Sequence, residues 1–140
     1  MDKIVYTWAN EEKTILLCTY RQADWTWEDF HYAFQTQNAL IESVSHPQVH
    51  IVVDVRVSQL IPKGGSMLTG INKLSAQKHP RQGHSVIVGA KGLIASMVNM
   101  TAKLLGEHRQ EIHMVNTFEE AYALLARIME QQAQKQTEKT

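Results

Sequence analysis

Between Val49 and Val57, six of nine residues are β-branched: Val49, Ile51, Val52, Val53, Val55 and Val57. A run with no polar face is a strand covered on both sides, as in a parallel sheet sandwiched between helices. Asp54 and Arg56 fall toward its C-terminal end, where open α/β sheets place their working groups. Beyond it Pro62 fixes one φ angle, Gly64 and Gly65 permit unusual ones, and a helix is predicted from about Ser66 to Lys78. A strand, a Gly-Gly turn and a helix start form a candidate functional edge.

The rest of the chain supplies the remaining layers. Lys3 to Trp8 alternates, with Ile4, Tyr6 and Trp8 on one face, and Thr14 to Tyr20 is again rich in β-formers, so the two predict an antiparallel hairpin. Its turn lacks an Asn-Gly or Asp-Gly pair. Thr26 reads as a helix N-cap with Asp29 closing a capping box. Trp27, Phe30, Phe34, Ile41 and Val44 then mark one apolar helix face, with His31 and Tyr32 off it and exposed. His46-Pro47 ends that helix. After the central strand and the Ser66–Lys78 helix come a loop at His79–Gly83, a short buried strand within His84–Ala90, and a helix with Ile94, Met97 and Val98 inward. Glu111–Asn116 is a last strand. Thr117-Phe-Glu-Glu120 is a capping-box pattern opening a final helix whose inner face carries Phe118, Ala121, Tyr122, Leu125, Ile128 and Met129.

Strand–helix alternation after a hairpin predicts right-handed crossovers. The expected fold is a single α/β domain over residues 1–129. It has a five-stranded mixed sheet, with an N-terminal antiparallel hairpin followed by parallel strands, and four helices. Ile51, Val53, Ile87, Phe34 and Leu125 are expected in its core. Residues 130–140, rich in glutamine and without a large hydrophobe, read as a frayed or disordered tail.

Composition narrows the function class. The formal net charge is zero over 140 residues, which gives no general reason to bind nucleic acid. The basic residues Lys63, Lys73, Lys78, Arg81, Lys91, Lys103 and Arg109 outnumber Glu107 and Glu111 between Ile61 and His113, a mildly basic stretch. No apolar run nears the roughly 20 residues that span a bilayer, so membrane insertion is not expected. No secretory signal opens the chain, and the single cysteine, Cys18, suits a reducing, cytoplasmic setting as a small buried hydrophobe. His46 and His50 are four apart, but Pro47 breaks the helical geometry a metal pair needs, so neither a metal nor a cofactor is expected. Gly89-Ala-Lys-Gly92 lacks the first glycine of a dinucleotide fingerprint and reads as a tight turn. No nucleophile–base–orienter set is legible, so no enzyme is expected. Asp54 and His84 are the one pair that could meet at the strand ends.

Three motifs together resemble the STAS domain of anti-sigma factor antagonists and sulfate-transporter tails: Ile51-Val-Val-Asp54, Pro62-Lys-Gly-Gly65 and Thr117-Phe-Glu-Glu-Ala121. The resemblance spans the hairpin to Met129. In signalling members the loop is Asp-Ser-Ser-Gly and a serine is phosphorylated. Here Lys63 or Gly64 stands at that position, so no phosphorylation switch of the usual kind is expected, with Ser66 the nearest alternative acceptor. The chain is more similar to a STAS-like group, related to Sec14-type lipid-binding folds, that lacks the serine loop. The resemblance implies a non-enzymatic regulatory or scaffolding module. It would bind a protein partner, of the kinase-like or membrane-associated regulator kind or a second copy of the chain, through Asp54, Ser58, Pro62, Lys63, Gly64, Gly65 and Ser66. The alternative is a small-ligand carrier, holding an anion or a lipid-like molecule near the same edge. A deep apolar cavity favours the carrier, and a filled core favours the module.

Overall fold

The computed structural model describes residues 3–57, 69–70, 76–104 and 111–138. The N-terminal hairpin is β1 (Ile4–Trp8) and β2 (Ile15–Tyr20), paired antiparallel. Its turn is organised by Asn10, whose Oδ1 accepts from the Thr14 and Ile15 amides while its Nδ2 donates to Thr14 Oγ1. Lys13 takes a φ of 58° there, the left-handed conformation a glycine would more commonly supply.

Helix α1 (Trp27–Glu42) follows, and its capping box is complete: Thr26 Oγ1 accepts from the Asp29 amide and Asp29 Oδ2 from the Thr26 amide. The covered strand is β3 (Val49–Asp54), then come β4 (Gln82–Val88), α2 (Gly92–Leu104), β5 (Ile112–Val115) and α3 (Phe118–Glu138). Of the expected Ser66–Lys78 helix, residues 69–70 and 76–77 are described and are helical, Lys78 is described and lies past the helical residues, and the others lie outside the described residues. The glutamine-rich end, expected to fray, is helical through Glu138, and Gln132 donates to Gln48 at 2.6 Å.

The sheet runs β1-β2-β3-β4-β5, mixed, with β2 through β5 parallel. Each crossover therefore steps in the same direction, and right-handed crossovers of that kind put their helices on one face. The packing agrees. Leu16, Cys18, Ile51 and Val55 meet α1 and α2 through Ala33, Ile41 and Ile94. The opposite side chains, Ile15, Val52, Val86 and Val88, meet α3 through Ala121 and Leu125. Two apolar faces are what the β-branched run demanded.

One-sided winding has a consequence for function. A crevice at the strand ends opens where crossovers diverge to opposite faces. The parallel strands here have no such divergence.

A cation from a distant loop closes α1. The helix has no basic residue in its last turn. Arg81 supplies one: Nη1 donates to the Val44 and His46 carbonyls and Nη2 to that of Ile41. His79, buried beside it, accepts the Arg81 amide at Nδ1, so its Nε2 carries the proton directed at Glu42 Oε1, 2.6 Å away.

Candidate functional site

A cavity of about 160 Å³ lies between the sheet and the α1–α2 layer. Strand alternation aims Ile51 and Val53 of β3 and Ser85 and Ile87 of β4 into it, Val55 joins them just past the end of β3, and Phe30, Phe34, Ile94, Met97 and Val98 cover it from the helices. Ile51 and Phe34 are buried, as is Leu125 on the other face. Val53 and Ile87, also expected in the core, are only half-buried. Both pack against the core cluster and also line the cavity.

The wall is largely apolar, and its polar groups are held in place. Tyr6 Oη donates to Gln37 Oε1 at 3.1 Å, Gln37 Nε2 to Gln82 Oε1 at 3.1 Å, and Gln82 Nε2 to Ser85 Oγ at 3.3 Å. This chain joins β1, α1 and β4. At the end formed by the starts of β4 and β5, Lys78 Nζ meets Glu111 Oε2 at 2.8 Å. At the other end Trp25 sits edge-on to Tyr20, ring centroids 5.0 Å apart, and packs against Phe30. Trp25 is 3% exposed, and its Nε1–H has no acceptor among the described residues.

Burial pushes the Cys18 thiol up to about 12, so it faces the cavity as a neutral group rather than a thiolate nucleophile. Burial likewise raises Tyr6 and Tyr20. Among the described residues the wall presents apolar surface, neutral hydrogen-bonding groups and the Lys78–Glu111 ion pair.

Of the residues singled out in the sequence, Asp54 is described, whereas Ser58, Pro62, Lys63, Gly64, Gly65 and Ser66 lie outside the described residues. Asp54 is not in the cavity wall. It belongs to the α3 face, where its carboxylate takes Arg56 Nε at 2.9 Å, Nη2 at 3.0 Å and the Arg56 amide at 3.1 Å. Burial alone would raise its pKa, but these hydrogen bonds and the guanidinium charge outweigh that and hold it below the usual carboxylate range. The Arg56 guanidinium lies 4.7 Å from the Phe118 ring centroid at the start of α3. Gly89, with φ 79°, leaves the room for it: a Cβ there would stand 2.5 Å from Arg56 Cγ. Asp54 thus ties the chain leaving β3 to the first turn of α3.

Asp54 and His84 do not meet. The strands are parallel and Asp54 pairs with Val88, so His84 belongs to the opposite end of the sheet. There it joins a row of three histidines. His50 Nδ1 accepts the His84 amide at 2.9 Å, and His84 Nδ1 lies 2.9 Å from His113 Nε2. Gly83 permits this arrangement, because a Cβ would come within 2.4 Å of His50 Nδ1. His46 is drawn away to the Glu12 carbonyl, which separates it from His50. His31, expected exposed, is half-buried and stacks on Trp27.

The sequence reading passed over Tyr6, Trp25, Gln37, Gln82 and Ser85 as site residues. One signal was available. The apolar stripe of α1 steps from Phe34 to Ile41, and the position it skips, Gln37, is a polar residue on the buried face.

Comparison with known proteins found no match: no family model fits the chain, and no curated protein and no solved structure is similar to it. The STAS resemblance stands on its three sequence motifs.

Proposed function

We propose that this protein is a non-enzymatic binding protein that carries a small, largely apolar molecule between its sheet and the α1–α2 layer. The observation behind this reading is the cavity of about 160 Å³ with its mainly apolar wall. Protein interiors pack to crystal-like density, and voids larger than a water molecule are few. An engineered apolar cavity of about 150 Å³ takes up benzene, which sets the scale of the occupant. The resemblance of its sequence motifs to a STAS-like group related to Sec14-type folds would fit a ligand of lipid-like character. The reading as a regulatory module rests on the Asp54–Ser66 edge, most of which lies outside the described residues, whereas the carrier reading rests on residues whose positions are described.

The test is cavity filling. Ile87→Phe places a larger apolar side chain where a half-buried one now faces open space. The purified protein is titrated with benzene and toluene and followed by methyl NMR and thermal melting. Wild type is expected to show saturable shifts confined to cavity residues and a raised Tm, because a ligand that binds only the folded state stabilises it. Ile87→Phe is expected to keep its fold and lose both responses. Identical responses in wild type and variant, or none in wild type, would exclude the cavity as the binding site.

A further inference from the structure

The strand that floors the cavity carries an irregularity beside a titratable ring. Between β3 and β4, Val49 pairs with Gln82 and Ile51 with Ser85. One residue of β3, His50, therefore faces two of β4, Gly83 and His84, which is a β-bulge. A bulge leaves its extra residue outside the ladder. Here the His50 ring closes the gap: its Nδ1 accepts the His84 amide at 2.9 Å. Gly83 makes room for the ring, because a Cβ there would lie 2.4 Å from Nδ1 and 2.6 Å from Cε1.

That closure depends on protonation. A nitrogen that accepts carries no proton, so the neutral ring holds its proton on Nε2. The ring also makes a hydrogen bond to Gln132 of α3. An imidazolium donates from both nitrogens and accepts from neither. A proton added at Nδ1 turns the hydrogen bond into two donors facing each other, and ring and amide have to part. The bulge is also cavity wall. Gln82, Gly83 and Ser85 line the cavity, and Gln82 holds both Gln37 on α1 and Ser85.

We propose that His50 is a proton-operated latch on the cavity: uptake of a proton at Nδ1 releases the His84 amide, loosens Gln82–Ser85 and speeds exchange of the ligand. This rests on the carrier reading above and adds regulation of the same site. The groups around the ring set the pH at which the latch works. On β4 the His84 ring lies 5.6 Å away between centroids, and His84 Nδ1 is in turn 2.9 Å from His113 Nε2 on β5. Gln132 faces it from α3, Glu111 acts on it from the start of β5, and Lys78 acts on His84. Burial, with His84, outweighs Gln132 and Glu111 and keeps the closed ring neutral down to about pH 4, against 6.5 for an ordinary histidine. An opened ring in water binds its proton at the ordinary value, so each pH unit between the two raises the open population by up to about tenfold.

Toluene is the probe. Its binding to the full-length protein is followed by NMR at about pH 7.5 and about pH 5, which gives both Kd and the dissociation rate. A latch changes how fast the cavity is entered and left, not how well it holds. The dissociation rate of wild type is expected to rise roughly 30-fold at the lower pH, with Kd level. The His84 amide is expected to titrate together with the His50 ring, and exchange broadening to be confined to Gln82–Ser85. His50→Gln keeps an acceptor for the His84 amide and removes the titration, so its dissociation rate should stay level. Leu125→Ala, destabilised on the opposite face, should keep the wild-type rates at both pH values. A wild-type rate that stays level while toluene binds overturns the latch and leaves the carrier reading intact. The same rise in His50→Gln overturns the role of His50. Faster release from Leu125→Ala at both pH values assigns release to general unfolding and also overturns the latch. No binding of toluene at either pH overturns the carrier reading and the latch together. The His84 amide is read in wild type, so the test stands even where His50→Gln fails to fold.

Discussion

Gln37 on α1 donates to Gln82 at the start of β4, Nε2 to Oε1 at 3.1 Å, across 45 positions of chain. Gln37 is 4% exposed, so its amide has little water to fall back on. The pair ties the helix that roofs the cavity to the strand that floors it.

Breaking that tie should be costly and non-additive. Gln37→Leu leaves the Tyr6 hydroxyl and one side of the Gln82 amide without partners, and loss of a buried partner costs roughly 1–3 kcal/mol. Gln82→Leu should cost a similar amount. The double variant should lose less than the sum of the two, because the second substitution removes a group the first had already orphaned. Urea denaturation of the four proteins measures the coupling. Strict additivity would mean the two amides do not depend on each other.

Arg81 makes a separate prediction about α1. Its two Nη atoms reach three carbonyls at the helix C-terminus, Ile41, Val44 and His46. A lysine has one compact ammonium and cannot span them. Arg81→Lys should therefore destabilise by roughly 1–3 kcal/mol although the charge is kept. The contact with Glu42 is long, 3.9 Å, and Glu42 is exposed, so it adds little. Raising the salt concentration should leave the difference between wild type and Arg81→Lys nearly unchanged; a difference that vanishes in salt would assign the effect to the ion pair.

Leu125 tests the other layer. It is fully buried on α3 against the sheet face that carries Val52, Val86 and Val88. Leu125→Ala should cost ~2–5 kcal/mol, read from the urea midpoint at constant m-value. It should leave ligand uptake in the cavity unchanged, since α3 packs on the opposite face. A variant that loses binding while still folded would show that the two faces are coupled through the sheet.

The elements were legible in the sequence where their causes are local. The β-branched run gave β3 and its two covered faces; Thr26 and Asp29 gave the start of α1 three residues apart. The end of β3 was misjudged as a place where Asp54 and His84 could meet, although parallel strands put the end of one and the start of the next at opposite ends of a sheet. The cavity was not legible. Val53 and Ile87 have the composition of core residues, and only packing in three dimensions decides whether such residues touch a neighbour or line a void. Gln37 and Gln82, Lys78 and Glu111, and Arg81 and the end of α1 are all contacts between residues more than 30 positions apart, for which periodicity carries no signal. Trp25 precedes the helical stripe by one turn position, so a pattern search for amphipathic helices passes over it.

The last prediction concerns acid. His50 is 2% exposed, in the row with His84 and His113, and its Nδ1 is occupied by the His84 amide. Burial, reinforced by the neighbouring His84, pushes its pKa from 6.5 down to about 4; the hydrogen bond it makes to Gln132 and the charge of Glu111 oppose this without reversing it. Burial also lowers His84 and His113, with Lys78 acting on His84 in the same direction. In the unfolded chain His50 takes up its proton near pH 6.5, whereas the folded protein resists protonation until about pH 4. Between those values the unfolded state binds more protons, so stability falls as the pH falls. The full contribution is present above pH 6.5, declines through the interval and levels off below about pH 4. For His50 the loss is on the order of 3 kcal/mol. Urea midpoints measured across this interval check the slope, and an NMR titration of the His50 ring checks its origin. His50→Gln, which keeps a hydrogen-bond acceptor and removes the titration, should flatten the pH dependence. A wild-type midpoint that stays level through the interval, or a variant with the same slope, would rule out His50 as the source of the acid sensitivity.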